Sequence, residues 1–289
     1  MKIAFIDKKN TDIRVEKMAL RVDEQKIPMR LLDVVVIGTS CSLESKDMVK
    51  MTKEGISLLL LSARGDDMAI VYSAKSKSAE LKMEQYQAQS RALLIAKYFI
   101  SQKVIRHTKH LEQHGKVLDI SKVLEKIENT KRVQTLLGVE GSFSKRYFTH
   151  YFKFFPKKLH LGKRSKKPPL DYVNSMLSFF YMLVHNLITV RLLSYGFEPS
   201  IGFMHQPFRG HDALSSDFME LFRADINEFV FGLFDSKKLK SDDFTKTHGI
   251  YLKYDARRRV WSDFQKFNQA LQVKLDKEIA IIRKMIKEK

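Results

Sequence analysis

Residues 201–223, IGFMHQPFRGHDALSSDFMELFR, place an imidazole and two carboxylates where they could bind a metal ion. His205 begins a loop, and Asp217 and Glu220 follow it on a predicted helix, where a spacing of three puts both carboxylates on one face. Such a set can converge on a divalent cation. The commoner alternative is that acids in the first turns complement the helix dipole and that Glu220 pairs with Arg223. These residues alone leave both interpretations open.

The same loop contains a second histidine–acid pair. Pro207 and Gly210 mark the loop, and His211 and Asp212 are interpreted as an exposed polar turn rather than as ligands. Three other histidines share one face of a predicted helix but form no metal-binding arrangement with supporting acids, so they are interpreted as surface residues: His107, His110 and His114.

A further ligand has to come from elsewhere in the chain. The segment LLGVEGSFSKRYF offers Glu140, which stands beside Gly138 and Gly141, where the backbone can come close to a bound group. A carboxylate in that position suits a metal ligand. The alternative is an ordinary solvated glutamate at the start of a helix.

A basic segment, residues 153–169, reads KFFPKKLHLGKRSKKPP and contains seven Lys or Arg and no acid. Aromatic residues and prolines interrupt its charges, which is typical of a loop that contacts phosphates. The alternative is a flexible, solvated connector. The candidate nucleic-acid contacts are Lys157, Lys158, Lys163, Arg164, Lys166 and Lys167.

The charge of the whole chain favours a polyanionic partner. Its 52 Lys and Arg against 33 Asp and Glu give a formal net charge of +19 and a pI near 9.8. Residues 1–84 hold 15 basic and 13 acidic residues, whereas the remainder holds 37 basic and 20 acidic residues. Nearly all of the excess positive charge therefore lies after residue 84. We therefore expect a nucleic-acid surface in the second part of the chain. A protein that is basic only for solubility, or for nonspecific binding, is the alternative.

Several classes of protein are excluded. A single cysteine, Cys41, rules out an intramolecular disulfide and a multi-thiolate zinc or iron–sulfur site within one chain. There is no glycine-rich phosphate cradle and no GxSxG or Cys-His signature, which disfavours ATP hydrolysis and acyl transfer. The start, MKIAFIDKKN, has no signal-peptide pattern, and no apolar run approaches the roughly 18 residues of a spanning helix. We expect a cytoplasmic protein without a membrane segment.

The sequence predicts an α+β protein: a small β-rich domain (1–76), a linker (77–84) and a larger all-helical domain (85–289). Short runs of Val, Ile and Leu indicate the strands: MKIAF, MALRV, LLDVVVIG, ISLLLLS and MAIVYS, punctuated by Gly38, Gly55 and Gly65-Asp66. A short helix lies among them, with Ser42 or, second, Ser45 as its cap and Gly55 at its end.

From about residue 83 the apolar period changes from 2 to 3.6, which indicates helices. One begins at YQAQSRALLIAKYF, one or two follow in ISKVLEKIENTKRVQTLLGVEGSFSKRYF, and a strongly apolar core helix ends at Gly196. The next helix has Ser215 or Ser216 as its predicted cap. The last, from SDFQKFNQALQ onward, is amphipathic.

Three segments together resemble a known family, the CRISPR-associated adaptation integrases, the first of the CRISPR-associated proteins, which insert new spacers. The segments are GVEGSFSKRYF, GKRSKKPPLDYVNSMLSFFY and GFMHQPFRGHDALSSDFMELFR, and their order and spacing agree with the family. The resemblance covers about residues 1–235, including the β-rich start. It implies a homodimer, and assembly with the small second CRISPR-associated protein around double-stranded spacer and repeat DNA.

The resemblance also implies site residues. The family's metal ligands fall on Glu140, His205 and Glu220, with Asp217 supportive or directly catalytic. The ion would be Mg²⁺ or Mn²⁺, and Mn²⁺ tolerates the nitrogen ligand better. Asp171 and Asn174 match family residues and are interpreted as structural or supporting. The departures from the family pattern remove no ligand: Phe143 and Ser144 for small residues, Lys163 for Arg and Tyr172 for Pro.

The expected function is a metal-dependent DNA endonuclease or integrase that joins spacer 3′-ends to repeat DNA by transesterification. Two alternatives stay open. One is a metal-dependent nuclease on branched or damaged DNA, which would use the same site. The other is a non-enzymatic basic scaffold that binds nucleic acid.

Overall fold

The computed structural model describes residues 1–61, 68–73, 78–206 and 212–288. A strand-rich N-terminal region precedes a helical C-terminal region, which confirms the predicted α+β class. The predicted turn at Gly65-Asp66, the loop residues Pro207 and Gly210, and His211 lie outside the described residues.

Two four-stranded sheets form the N-terminal region, as far as its described residues go. The strands are β1 (Ile3–Ile6), β2 (Asp12–Glu16), β3 (Ala19–Val22), β4 (Gln25–Pro28), β5 (Val34–Ile37), β6 (Ser42–Leu43), β7 (Ser57–Leu61) and β8 (Met68–Val71). The first sheet has the order β1-β5-β7-β8, with the first three strands parallel and β8 antiparallel to β7. The second has the order β4-β3-β2-β6.

The first sheet lies between two hydrophobic cores. Strand β5 reads VVVI and is buried along its whole length, as expected for a strand that is covered on both faces. Because side chains alternate across a strand, Val34 and Val36 pack into the core of the helical region. Val35 and Ile37 pack into the core of the strand-rich region. The sheet therefore belongs to both cores.

The short helix of this region is α1 (Ser45–Lys53). Its N-cap residue is Glu44, whose side chain makes no capping hydrogen bond, so the prediction of Ser42 as the cap is wrong. Ser42 instead lies in β6 and pairs with Asp12 of β2, because the chain is still extended there. Gly55, with a φ of 78°, follows the end of the helix as predicted.

Seven helices carry the described C-terminal region. They are α2 (Ala79–Gln87), α3 (Ala92–Gln113), α4 (Ser121–Asn129), α5 (Val133–Tyr151), α6 (Tyr172–Tyr195), α7 (Ala213–Asp235) and α8 (Tyr254–Lys287). Helix α2 occupies most of the segment predicted as a linker. Its buried face combines Leu81 with the polar Gln85, whose amide donates to the carbonyl groups of Glu198 and Ile201.

Helix α6 is the central core helix that the sequence predicts. Asp171 caps its start, where its carboxylate accepts from the backbone of Asn174 at 2.7 Å, and Gly196 ends it with a φ of 90°. By length and composition α6 could cross a membrane, contrary to the expectation that no run is long enough, but 67% of its apolar window is buried inside the protein. A buried core helix meets the same criteria.

The sequence predicts an all-helical C-terminal region, but the structure also contains two strands there. A hairpin, β9 (Phe244–Lys246) and β10 (Ile250–Leu252), lies between α7 and α8. Helix α8 begins eight residues before the predicted start at Ser262. Its Trp261 stacks on Phe5 of β1 with ring centroids 4.6 Å apart, which joins the last helix to the first sheet.

Candidate metal and nucleic-acid site

Helix α7 carries Asp217 and Glu220 deeper than the sequence suggests. The helix begins at Ala213 after Asp212, so neither Ser215 nor Ser216 is the cap. Asp217 and Glu220 are 0% and 4% exposed. Acids that only complement a helix dipole would be solvated, whereas buried carboxylates require partners. The helix-dipole interpretation therefore does not fit, although the predicted pairing of Glu220 with Arg223 is present.

Asp217 holds the loop that contains His205. Its two oxygens accept from the backbone N–H groups of Phe203 (2.6 Å), Met204 (3.0 Å) and His205 (2.9 Å). The Nδ1 atom of His205 lies 2.7 Å from Oδ1 of Asp217. Gly202 permits this approach, because a Cβ there would lie 2.8 Å from the carboxylate.

These bonds define the chemistry of His205. A carboxylate at Nδ1 places the proton on that nitrogen, and Nε2 then carries the lone pair that a metal ion requires. Asp217 has its oxygens occupied by four hydrogen bonds. Of the two roles that the resemblance allows, this arrangement favours the supportive one over direct ligation.

Glu140 and Glu220 come together around a lysine. Glu140 lies inside α5 rather than at a helix start, and Lys103 of α3 reaches both carboxylates. The Lys103 Nζ atom lies 2.5 Å from Oε2 of Glu220 and also contacts Oε1 of Glu140. Ser144 donates to Glu140 at 2.6 Å, and Arg223 donates to Glu220 at 2.8 Å. Three helices thus bring two carboxylates to one cationic position.

Glu220 is ionised in spite of its burial. Burial raises the pKa of its carboxyl, but the positive charges of Arg223 and Lys103 outweigh this and hold the pKa well below its ordinary value. Its Oε2 atom is in contact with the ammonium of Lys103 and has no other polar partner among the described residues. A buried, charged oxygen with unused acceptor capacity is suited to a metal ion.

The expected ligand set is only partly assembled. The ligand atoms of Glu140, His205 and Glu220 do not all lie within 4.8 Å of one another in the described structure. The two glutamates meet at the ammonium of Lys103, while His205 is held by Asp217. Two carboxylates that already hold one cation, the Lys103 ammonium, and one imidazole nevertheless fit a divalent cation by type.

The basic segment (153–169) is anchored beside this site. Asn174 of α6 holds it, since its amide donates to the carbonyl of Lys163 (2.8 Å) and accepts from Arg164 (2.9 Å) and from the backbone of Ser165 (3.1 Å). Asp171 accepts from the backbone of Leu161. The interpretation of Asp171 and Asn174 as structural residues agrees with these contacts.

Arg164 differs from the other candidate phosphate contacts. Its guanidinium bonds Asn174 and Ser178 and lies 5.5 Å from the ring centre of Tyr181, which also stacks with Arg223. The guanidinium of Arg164 is therefore already bound by other groups of the protein. Lys157, Lys158, Lys163, Lys166 and Lys167 are exposed. Lys166 is exposed as a residue, but partial burial of its ammonium lowers its pKa, as do Arg223 and Arg164, and Glu220 and Glu140 partly offset this.

Known proteins match most of the chain. The family model described as CRISPR associated protein Cas1 matches residues 2–266. The CRISPR-associated endonuclease Cas1 1 of Thermodesulfovibrio yellowstonii is 31% identical over 292 aligned residues, which cover 93% of this chain and 92% of that protein. The chain belongs to the Cas1 family.

Solved structures share the Cas1 fold. A CAS1 protein from Thermotoga maritima has a TM-score of 0.90 at 17% identity, over 100% of this chain and 98% of that one. A casposase bound to an integration product has a TM-score of 0.82 at 22% identity, over 92% and 82%. A Cas6-RT-Cas1–Cas2 complex has a TM-score of 0.73 at 22% identity, over 92% of this chain and 32% of that one.

Sequence reasoning missed two sets of residues in this Cas1-family chain. Lys103 lies in an apolar helix 37 residues before Glu140, and no local pattern links the two. The interpretation of the three histidines of α3 as surface residues is wrong. His107 and His110 are 1% and 4% exposed, and His110 and His114 meet Glu228 of α7, which lies 114 or more residues away in sequence.

Proposed function

We propose that this protein is a divalent-metal-dependent DNA endonuclease and integrase, which joins the 3′-ends of spacer DNA to repeat DNA. The observation that carries the proposal is the convergence of Glu140 and Glu220 on one buried cationic position. Relatives named as Cas1 endonucleases support nuclease chemistry, and the casposase bound to its integration product supports strand joining.

Glu140, Glu220 and Nε2 of His205 would hold the ion, Mg²⁺ or Mn²⁺. When bound there, such an ion supplies Lewis-acid polarisation of a phosphate oxygen and favours deprotonation of a nearby hydroxyl. The protein's own residues prepare the ligands. Asp217 fixes the tautomer of His205, and Arg223 keeps Glu220 ionised.

Lys103 occupies the position between the two glutamates. Its ammonium neutralises their repulsion, so the carboxylates stay close together before an ion arrives. A cation entering this position has to take over those contacts from Lys103. The ammonium of Lys103 would then be a second positive charge at the site, able to stabilise negative charge that develops in the transition state.

The reaction exchanges one phosphodiester for another, and so no ATP is required. The 3′-oxygen of the spacer forms a bond to phosphorus, the bond from phosphorus to the 3′-oxygen of the repeat–leader strand breaks, and the proton of the attacking hydroxyl is balanced by protonation of the leaving oxygen. With water as the nucleophile, the same site would cut DNA without joining.

Double-stranded DNA would lie along the exposed lysines of the basic segment, since nearly all of the excess positive charge lies after residue 84. The similarity to the Cas1 part of a Cas6-RT-Cas1–Cas2 complex supports a partnership with the small second protein, Cas2. A homodimer and a cytoplasmic location remain predictions from the sequence.

The test replaces each proposed ligand by its uncharged or non-ligating isostere: Glu140→Gln, His205→Asn and Glu220→Gln. Each variant should lose strand joining by at least about 100-fold, since loss of even an outer partner of a metal ligand costs 10–100-fold, and should keep its DNA affinity. Joined product is measured with a labelled short duplex and a supercoiled, repeat-bearing plasmid, at equal Mn²⁺ concentrations.

Glu112→Gln is the matched control, because Glu112 is an exposed acid on α3. It should join DNA as the parent protein does. Nicked plasmid without joined product from the parent would indicate a nuclease without integration. Full joining by two of the three ligand variants would show that the assigned metal site is wrong, and joining by none of the proteins, with DNA binding intact, would indicate a scaffold.

A further inference from the structure

A second cluster of metal-ligating side chains lies on the helices that carry the proposed active site. His110 lies in the last turn of α3, His114 is the C-cap residue that follows this helix, and Glu228 faces both from α7. The Nε2 atoms of His110 and His114 lie 2.9 Å and 2.7 Å from the same oxygen, Oε2 of Glu228. All three ligand atoms lie within 4.8 Å of one another. A small shift of the carboxylate would open a position for an ion between them.

A hydrogen bond at Nδ1 fixes the orientation of His110. Its Nδ1 atom lies 2.8 Å from the hydroxyl of Tyr147, which accepts from the amide of Asn227 at 2.8 Å. The hydroxyl of Tyr181 donates to the oxygen of that amide. With these donors, the hydroxyl of Tyr147 donates a hydrogen bond to Nδ1 of His110, and Nε2 of His110 donates to Glu228.

The same hydrogen-bonded chain also serves a metal-binding imidazole. Reversal of the Asn227 amide would let Tyr147 donate to the amide oxygen and accept from Nδ1 of His110. Tyr181 would then accept from the amide nitrogen, so each group keeps a partner. Nε2 of His110 would carry its lone pair towards Glu228. An imidazole whose other nitrogen donates to a fixed acceptor is the usual arrangement around a protein-bound metal.

Aromatic rings pack against His114, whereas Glu228 reaches solvent. The ring of Phe154 lies 4.5 Å from that of His114, and the ring of Phe231 lies 4.7 Å from it. Glu228 remains 46% exposed, against 4% for His110. The carboxylate of Glu228 is therefore within reach of solvent.

We propose that His110, His114 and Glu228 form a second metal site, for Zn²⁺ or a chemically similar transition-metal ion. Two imidazoles and one carboxylate are a common set of three zinc ligands, with solvent in the fourth position. Mg²⁺ and Ca²⁺ prefer oxygen ligands, so this site would select a different ion from that of Glu140 and Glu220.

The position of this site gives it a structural role. His110 is seven residues after Lys103 on α3, and Glu228 is eight residues after Glu220 on α7, which places the site about 10–12 Å along the same two helices. An ion bound there would fix α3 against α7. Those helices carry the lysine and one of the glutamates of the proposed active site, so the ion would help to hold their spacing.

The test measures Zn²⁺ binding by calorimetry to the full chain, without a polyhistidine tag and after treatment with a chelator, in an excess of Mg²⁺. The background variant Glu140→Gln with Glu220→Gln removes the other proposed site and should still bind one equivalent of Zn²⁺. In that background, His114→Asn or Glu228→Gln should weaken binding by more than the 10–100-fold that loss of an outer partner costs.

His248→Asn is the matched control, because His248 is an exposed histidine in the hairpin and should leave binding unchanged. Co²⁺ replaces Zn²⁺ in a parallel measurement. Its visible absorption should be that of a four-coordinate ion in the background protein and should be lost with His114→Asn. Thermal unfolding without metal shows whether the variants fold.

Two results would overturn the site: no stoichiometric Zn²⁺ binding by the folded background protein, or equal binding by folded His114→Asn and Glu228→Gln variants. Either result would leave the proposed nuclease and integrase function untouched, since strand joining depends on Glu140, His205 and Glu220.

Discussion

Glu220 shows how the protein keeps a buried carboxylate ready for a cation. Burial disfavours its charge, and Arg223 and Lys103 restore it. The two cations have different positions, because Arg223 binds Oε1 while Lys103 lies between Glu220 and Glu140. Arg223 can keep its bond when an ion binds on the other side. Lys103 is the group whose position an ion would share or replace.

Lys103→Met tests this role. It removes the ammonium but keeps most of the apolar length of the side chain, and it leaves two carboxylates with Arg223 as their main neutralising charge. We expect a loss of stability of about 3–5 kcal/mol without divalent ions, as for other broken buried ion pairs. Mn²⁺ should restore part of it, so its addition should raise the Tm of the variant more than that of the parent protein.

Lys97→Met is the control, since Lys97 also lies on α3 but contacts the carbonyl of Glu128 and no carboxylate of the site. It should respond to Mn²⁺ as the parent does. If Mn²⁺ raised the Tm of Lys103→Met no more than that of the parent, the two glutamates would not be the position at which the ion binds.

Part of the site could be predicted at this scale. His205, Asp217 and Glu220 are close in sequence, so residue types and spacing made them candidates. Glu140 was a candidate because it stands beside two glycines, and the resemblance placed it in the same site. The partners could not be predicted. Lys103 occupies a position in α3 where an ordinary sequence reading expects either an apolar residue or a solvated lysine, and its burial depends on acids from two other helices.

Helix ends show what single elements contribute to positioning the site. Helix α6 ends at Gly196, whose φ of 90° is unfavourable for any residue with a Cβ. A Cβ there would also lie 2.6 Å from Cβ of Ser78, the residue that caps α2. The end of the core helix and the start of α2 are therefore packed against each other, and α2 holds the chain before the His205 loop through Gln85.

Gly196→Ala should lower the free energy of unfolding by at least about 1 kcal/mol, because of its φ and the contact with Ser78. Chemical denaturation measures the change. Gly232→Ala is the matched control, since Gly232 lies in α7 and an added Cβ would meet no atom within 4 Å. It should be neutral or stabilising by roughly 0.5–1 kcal/mol. An equal effect of both substitutions would contradict this account of the helix end.

The elements that the sequence predicted well have strong local signals. Helix α6 is uniformly apolar and ends at a glycine, and β5 is a run of branched residues. The elements that were missed lack such signals. Strands β2 and β4 are mostly polar, because much of the second sheet is exposed, and the buried face of α2 consists of one leucine and one amide, Leu81 and Gln85. Their structure depends on partners that are distant in sequence.

At the scale of the whole molecule, the two regions are packed together but differ in charge. The first sheet contributes to both hydrophobic cores, and Trp261 of α8 stacks on Phe5 of β1, so the two regions are packed together. The excess positive charge lies almost entirely after residue 84. A polyanion would therefore bind one region, while the other supports it through the shared core.

The salt dependence of DNA binding tests this division. Lys163→Ala, Lys166→Ala and Lys167→Ala remove exposed charges of the basic segment. Each should reduce the slope of log K against log[salt] by about one, the value for one lost phosphate contact on duplex DNA. The measurement is a titration of labelled duplex DNA at several salt concentrations.

Arg164→Ala should behave differently, because Asn174, Ser178 and Tyr181 occupy its guanidinium. We expect a loss of stability of about 1.5–3 kcal/mol, the usual contribution of a hydrogen bond to a charged group. Lys9→Ala and Lys53→Ala are the controls, as exposed lysines of the strand-rich region, and should leave the slope unchanged. A similar fall in slope for these controls and for the lysines of the basic segment would show that DNA is bound by the charge of the molecule as a whole and not by a surface on its helical part.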